Sequence, residues 1–292
     1  LSKDVFQLVD QDLTELFAQI EHQTNALNIK PGLFGVLPSI DHHYLDPAHF
    51  MSAMYRYQLL NDSLMKMRSQ PVHLNIQGEQ HLVTERNDVM LEALGTSLQV
   101  HLQLPFDHAV DAYHASLWAS VLMVAVSANS PLVLGKSLWQ ESRIAIFKQS
   151  VDTRSKQEIQ DHVIPRVHLA KGYIESFLEL FEDNGYYSPI LPEVMDEPRE
   201  QLHHFNLHNG TIWRWVRPIL GQGDQGYHLR LELRVAPAGP TLIDSMANLV
   251  FFVGLVEGLR TQRQLLTQIA YCQLESEFYE AARYGLNAQI GW

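Results

Sequence analysis

The chain has 292 residues, 46% hydrophobic and 18% charged, a globular composition sufficient for one large domain or two modest ones. Its net charge is -12 and it holds no run of Lys or Arg, so it lacks the basic footprint that neutralises nucleic-acid phosphates. A single cysteine, Cys272, excludes an internal disulfide, which fits a cytoplasmic protein. In its helical-looking segment it reads as a small half-buried residue rather than a nucleophile. The longest apolar runs, Leu117–Val126 and Leu249–Val256, are too short to span a bilayer, and no signal peptide opens the chain, so no membrane is expected. An acidic balance still admits a nucleotide, because a metal and a few Arg can reverse the field of one pocket.

From about Asp4 to Leu27, Val5, Val9, Leu13, Leu16, Phe17 and Ile20 fall at helical intervals. Pro31-Gly32 ends that helix, and Leu33–Leu37 reads as a short buried strand. Residues Ala48–Met67 read as a second helix. Val72–Gln77 and Thr96–Leu104 alternate apolar with polar residues, the mark of a half-buried strand. A long helix is predicted from Asp107 to Ala128, loop and turn over Lys136–Ser155, and helix again over Val167–Asp183. A hairpin follows: Thr211–Leu220, the turn Gly221–Gly226, and Tyr227–Val235. Pro237-Ala-Gly-Pro240 breaks the chain, and helices near Thr241–Leu266 and Glu275–Ala288 complete it. No repeat, low-complexity tract or linker interrupts the sequence, which predicts one continuous domain, 1–292. One-sided alternation and a hairpin favour an antiparallel sheet over a buried parallel one. The predicted fold class is α+β, with helices packed on the apolar face of the sheet and a polar, ligand-binding face opposite.

The most informative strand is Tyr227–Val235. Leu229, Leu231, Leu233 and Val235 alternate with His228, Arg230, Glu232 and Arg234, so one face is apolar and the other carries two guanidiniums, a carboxylate and an imidazole. An acid flanked by two Arg suits a divalent metal together with anionic oxygens, and points to phosphate chemistry. Two more predicted strands share this character through His73/Asn75/Gln77 and Ser97/Gln99/His101/Gln103. A wet face is the ordinary explanation for any one of them. Lys and Thr, common on wet faces, are absent from all three, and ligand-type residues dominate instead. Taken jointly they favour a functional face. His42-His43, His203-His204 and His208 lack zinc spacing and read as surface residues. The chain has no Walker-type Gly-Lys-Ser/Thr loop, no Gly-x-Gly-x-x-Gly after a strand and no Gly-x-Ser-x-Gly. A nucleotide would therefore be held on the sheet, through metal and Arg.

Thr96–Leu104, then Ser127-Ala-Asn-Ser-Pro131 and Glu141-Ser-Arg-Ile144, resemble the glutamate–cysteine ligase superfamily, most closely its bacterial carboxylate–amine ligase branch. Leu231-Glu-Leu-Arg234 with its Gly-Pro turn and apolar helix, and Ala281-Ala-Arg-Tyr-Gly-Leu286, extend the resemblance over most of the chain from about Leu33. The resemblance implies a fold like glutamine synthetase and the guanidino kinases, an antiparallel sheet curved around ATP and Mg2+ or Mn2+. It implies that ATP phosphorylates a carboxylate, typically the γ-carboxyl of glutamate. An amine such as cysteine then displaces phosphate to give a γ-glutamyl-type amide, as in glutathione biosynthesis.

By motif position the resemblance makes Glu232, His101 and Gln99 metal-site residues. It sets Arg234 beside the phosphates or acyl phosphate and Arg143 on the amino-acid carboxylate, both in catalytic roles. Arg230, Arg214 and Arg283 become candidates for the nucleotide, and Arg217 joins them on the hairpin partner strand, where Trp213 reads as packing. Gln99 stands where the bacterial branch has the first His of a His-Val-His motif. The family begins with a strand carrying Glu-x-Glu, and no such motif precedes Asp4. The expectation is therefore a catalytic domain truncated at its start and just past Leu286, with half its metal site supplied elsewhere. The alternative is a non-catalytic binding module derived from the same fold, sensing an amino acid or nucleotide. A phosphotransferase akin to the guanidino kinases ranks third. The partners expected are small molecules, and the oligomeric state is left open.

Overall fold

A computed structural model describes residues 4–68, 70–191, 196–224 and 226–291. Its first half contains α1 (Val5–Asn25), α2 (Pro47–Phe50), α3 (Tyr55–Arg68), β1 (Val72–Gln77), β2 (His81–Arg86), β3 (Val100–Leu104) and α4 (Ala109–Ser127). There follow β4 (Leu132–Val133), β5 (Lys136–Ser137), α5 (Ser142–Ser150), α6 (Lys156–Gln160), α7 (Glu179–Glu182) and α8 (His203–Gly210). The last part holds β6 (Val216–Gly223), β7 (Gly226–Leu233), α9 (Leu242–Leu259), α10 (Arg263–Leu266) and α11 (Tyr271–Tyr284). All strand pairs are antiparallel, and the class is α+β as the alternation predicts.

Helix α4 is the axis of the larger core. Apolar residues surround it on nearly every side, as a helix buried all round requires. Its serines are accommodated because Ser116, Ser120 and Ser127 each donate to the carbonyl four residues back, at 2.7, 2.7 and 2.5 Å. Against it pack α9, α11 and the apolar side chains of a sheet ordered β3-β7-β6. Val100, Leu102 and Leu104 oppose Leu233, Leu231 and Leu229, so β7 is the central strand. Pro218 sits on the edge strand β6, where a missing donor is tolerated.

A second, smaller core lies under the β1–β2 hairpin, with Val72, Leu74 and Ile76 packed against Ala145 and Ile146 of α5. The free edge of β1 is closed by a side chain: Gln149 accepts from Asn75 N at 2.7 Å and donates to its carbonyl at 3.2 Å. This geometry corrects one grouping made from sequence. His73, Asn75 and Gln77 belong to a two-stranded sheet separate from the one carrying His101 and Glu232. There His73 meets Glu85 at 3.1 Å and Asn75 meets His81 at 2.8 Å.

Several boundaries also differ from the periodicity. Lys136–Ser155 contains α5, whose start depends on tertiary partners: Ser142 N and Arg143 N donate to the carbonyl and hydroxyl of Ser130. Val167–Asp183 is mostly irregular because its backbone bonds elsewhere, to Trp215 N from His168 O and from Ile174 N to the His114 ring. The helix predicted over Ala48–Met67 is broken in two, since Met51 takes an extended ψ of 132° after the short Asp46-capped turn. The hairpin turn is tighter than predicted, with β6 and β7 pairing out to Gly223 and Gly226; Gln225, within it, lies outside the described residues. Two helical stretches, Phe106–Ser127 and Leu242–Leu266, are long and apolar enough to cross a membrane, contrary to the reading of the apolar runs. The first is the core helix; most of the second is exposed at its surface.

The approach of Gly78 to the Leu138 backbone yields a test. A Cβ at Gly78 would lie 2.5 Å from that backbone, whereas one at Gly172 meets nothing within 4 Å. Gly78→Ala is expected to cost about 1–3 kcal/mol, read as a lower urea midpoint, while Gly172→Ala shows no comparable loss.

Candidate active site

Across the three-stranded sheet, register alone brings His101, Glu232 and Arg217 into one row, on β3, β7 and β6 respectively. Glu232 is 2% exposed, and its carboxylate is gripped from both sides. Arg217 Nε donates to Oε2 at 2.5 Å, His101 Nε2 stands 3.4 Å from Oε1, and Arg234 Nη1 lies 3.8 Å from Oε2. Arg217 is held in turn by donating to the Gly210 carbonyl at 3.2 Å. Arg230 is the next residue along that face of β7, and its buried Nε has no hydrogen-bond partner among the described residues. One carboxylate thus faces three guanidiniums, so the face carries an excess of positive charge inside an acidic protein.

The electrostatics follow from burial. Desolvation depresses Arg234 to about 10, reinforced by Arg217 and opposed by Glu232. His101 is also pushed below the ordinary imidazole value, first by desolvation, while Glu232 pulls it upward and the three arginines downward. Glu92, on a short 3-10 turn, is raised by burial and held back by Arg234, which marks it as a further carboxyl near the row.

Arg143 serves the row from behind. It is 4% exposed, pairs with the fully buried Glu141 (Nε–Oε1 3.0 Å), and donates to the carbonyls of Arg234 and Val235. Its guanidinium lies over the Trp215 ring at 5.7 Å, and its stem passes over Gly95, where a Cβ would sit 2.8 Å from Cγ. Glu141 accepts from Asn129 N at 2.9 Å, and Asn129 Nδ2 donates to Ala238 O at 2.9 Å. The segments Ala-Asn-Ser-Pro, Glu-Ser-Arg and the one following β7 are therefore one bonded unit that fixes where β7 ends.

Of the remaining residues singled out from sequence, Arg214 and Arg283 lie apart from the row. Gln99 is exposed, just before β3. Arg214 is 1% exposed in a buried amide network, donating to Asn184 Oδ1 at 2.9 Å, with its pKa lowered by desolvation. Arg283, on α11, rests over the Trp139 ring at 4.9 Å. Arg217, set from sequence among the candidates on the hairpin partner strand, is the nearest partner of Glu232. Glu92 was missed; it lies on no alternating strand, so periodicity carries no signal for it.

The donor chemistry bears on a metal. Glu232 Oε1 and His101 Nε2 are 3.4 Å apart, close to the roughly 3 Å between neighbouring ligands of a cation bound at 2.0–2.1 Å. Among the described residues no group of three His, Cys, Asp or Glu forms a complete metal site. The pair fits a cation that takes its other ligands from phosphate oxygens and water, the usual habit of Mg2+.

The polar face of this sheet is thus a cationic strand face around one buried carboxylate. The profile of glutamate-cysteine ligase family 2 (GCS2) matches residues 45–291, and the chain belongs to that family. Membership makes it ligase-type, of the glutamate–cysteine ligase-like superfamily, whose members are in general ATP- and metal-dependent and act on small molecules. No curated protein matches the chain.

Glu232→Gln would leave buried cations facing a neutral amide, an expected loss of about 3–5 kcal/mol in chemical denaturation. The depressed pKa of His101 has its own signature. As pH falls below about 6.5 the unfolded chain takes up that proton first, so the folded state loses stability. Between pH 7.5 and 5.5 the wild type should lose Tm relative to His101→Gln; a constant difference would mean that His101 is not desolvated against this row.

Proposed function

We propose that the protein is an ATP-dependent carboxylate–amine ligase that makes a γ-glutamyl-type amide through an acyl phosphate, on a sheet like that of glutamine synthetase. The observation that carries this reading is the Glu232 row, a buried carboxylate surrounded by His101, Arg217 and Arg234 in a chain of glutamate-cysteine ligase family 2. A carboxylate attacking a phosphoryl group meets charge repulsion, and the protein's task is to align the two anions and screen them. Arg234 and Arg230 provide guanidiniums of the geometry that grips phosphate and carboxylate oxygens in pairs. Glu232 and His101 would hold a divalent cation, which when bound would supply further neutralisation of phosphate charge. Arg217 donates to Glu232 Oε2 and holds that carboxylate in place. Arg143, bonded to the backbone at the end of β7, acts on the site through the placement of Arg234.

The second reading, a non-catalytic binder of amino acid or nucleotide, is favoured by one observation. The described residues give a metal only the Glu232–His101 pair, without a third acidic or imidazole ligand.

ADP release measured with ATP, Mg2+, glutamate and a panel of amines separates the two. The ligase reading expects ADP only when both carboxylate and amine are present, one amide formed per ADP, and a loss of about 10²–10³ in kcat for Arg234→Gln. Ligand-dependent thermal stabilisation without turnover would establish the binder instead. A phosphorylated amine would assign the chain to phosphotransfer.

A further inference from the structure

A second cationic site lies on the other side of α5. A cavity of about 280 Å³ is lined by Lys148, Arg154 and Arg283, with Trp139 and Tyr279 in its walls and Asp152 as its one carboxylate. It opens into two larger clefts of about 640 and 630 Å³, sharing Gln149, Asp152 and Arg154 with one, and Trp139 and Arg283 with the other. Three cations against one carboxylate is a local reversal in a chain of net charge -12.

The cations are not equally engaged. Arg154 is clamped on Asp152, with Nε–Oδ1 2.9 Å and Nη2–Oδ2 2.6 Å, and also donates to Val163 O. Lys148 donates to the Tyr279 hydroxyl at 2.6 Å and stands 4.2 Å from that ring's centre, which leaves two of its three N–H groups unassigned. Its nearby carboxylate, Glu275, is raised by burial and forms no ion pair with it among the described residues. The Arg283 guanidinium lies 4.9 Å from the Trp139 ring centre, within cation–π range, and makes no hydrogen bond or ion pair among the described residues. Trp139 is itself fixed, its Nε1 donating to Gln77 O at 2.9 Å.

Each aromatic ring therefore already carries a cation, so the walls orient N–H donors and offer no open platform for a base. Lys148 and Arg283 present donors to a compact anion with several oxygens, which is the chemistry of a phosphate group. The site is distinct from the Glu232 row. On α5, Arg143 and Phe147 face the end of β7, with Arg234 over Phe147 at 5.6 Å, whereas Lys148 faces α11.

We propose that this groove binds the phosphate group of a small phosphorylated ligand, with Lys148 and Arg283 as its ligands and Arg154 as a fixed cationic wall. It is a second anion site, and its existence does not depend on the ligase reading. The probe is inorganic pyrophosphate, titrated calorimetrically into the full chain at constant ionic strength without metal. Wild type is expected to bind it, and Lys148→Gln and Arg283→Gln each to weaken binding by about tenfold or more. Arg230→Gln, on the sheet, should leave the affinity within a few-fold. ATP should compete and adenosine should not, which separates recognition of phosphate from recognition of a base. No binding by wild type, equal affinity in folded Lys148→Gln and Arg283→Gln, or displacement by adenosine would each overturn the proposal. So would loss of binding in Arg230→Gln alone, which would transfer the anion to the sheet. Arg283 is exposed, so its variant keeps the test decisive even if Lys148→Gln does not fold.

Discussion

The carboxylate of Glu232 is the charge around which the rest of the site is arranged. Moving an isolated carboxylate from water into a protein interior costs several kcal/mol, so a group 2% exposed needs cations at close range. Arg217 meets it from β6 and His101 from β3, both placed by strand register, while Arg234 follows β7 two residues along from Glu232. A shift of one residue in either pairing would turn that strand's partner to the apolar face. The same register packs Leu229, Leu231 and Leu233 against α4, so hydrophobic core and charged row specify one another.

What fixes the register and the end of β7 is a second buried charge pair. Arg143 and Glu141 would be costly singly; together they bond to Asn129, Arg234 and Val235, and tie three chain segments distant in sequence. Arg143 takes the stacked position over Trp215 that a planar guanidinium can occupy and an ammonium cannot fill in the same way. The Ala-Asn-Ser-Pro and Glu-Ser-Arg segments are joined directly: Asn129 N donates to the Glu141 carboxylate, while the Asn129 amide donates to Ala238 O beyond β7. Their contribution to chemistry is exerted through geometry, at the strand whose polar face carries Arg230, Glu232 and Arg234.

Much of this was legible in the strand period. Alternation over Tyr227–Val235 and around Val100–Leu104 identified both the apolar face and the ligand-type residues opposite it, because a half-buried strand leaves its burial pattern in the sequence. Pairings set by turn geometry were less legible. A six-residue turn ending β6 at Leu220 would set Leu220 against Tyr227 and therefore Arg217 against Arg230, two cations. The tighter hairpin pairs Gly223 with Gly226 and brings Arg217 opposite Glu232. Structure made by tertiary bonds was illegible for the same reason: α5 begins on Ser130, residues 167–178 satisfy their backbone on other segments, and β1 closes its edge on the Gln149 side chain. None of these leaves a periodic trace.

The two cationic sites also show how a strongly acidic chain can handle anions. Its negative charge is spread over exposed residues such as those of α1, where solvent screens it. The arginines of the Glu232 row are partly or largely buried, where charge acts over short range with little screening, and Arg217 and Arg234 are braced by a carboxylate, a carbonyl or a ring. Net charge therefore describes how the whole molecule appears at a distance, while close to the sheet the local field is of opposite sign, set by arginines held without a full complement of acids.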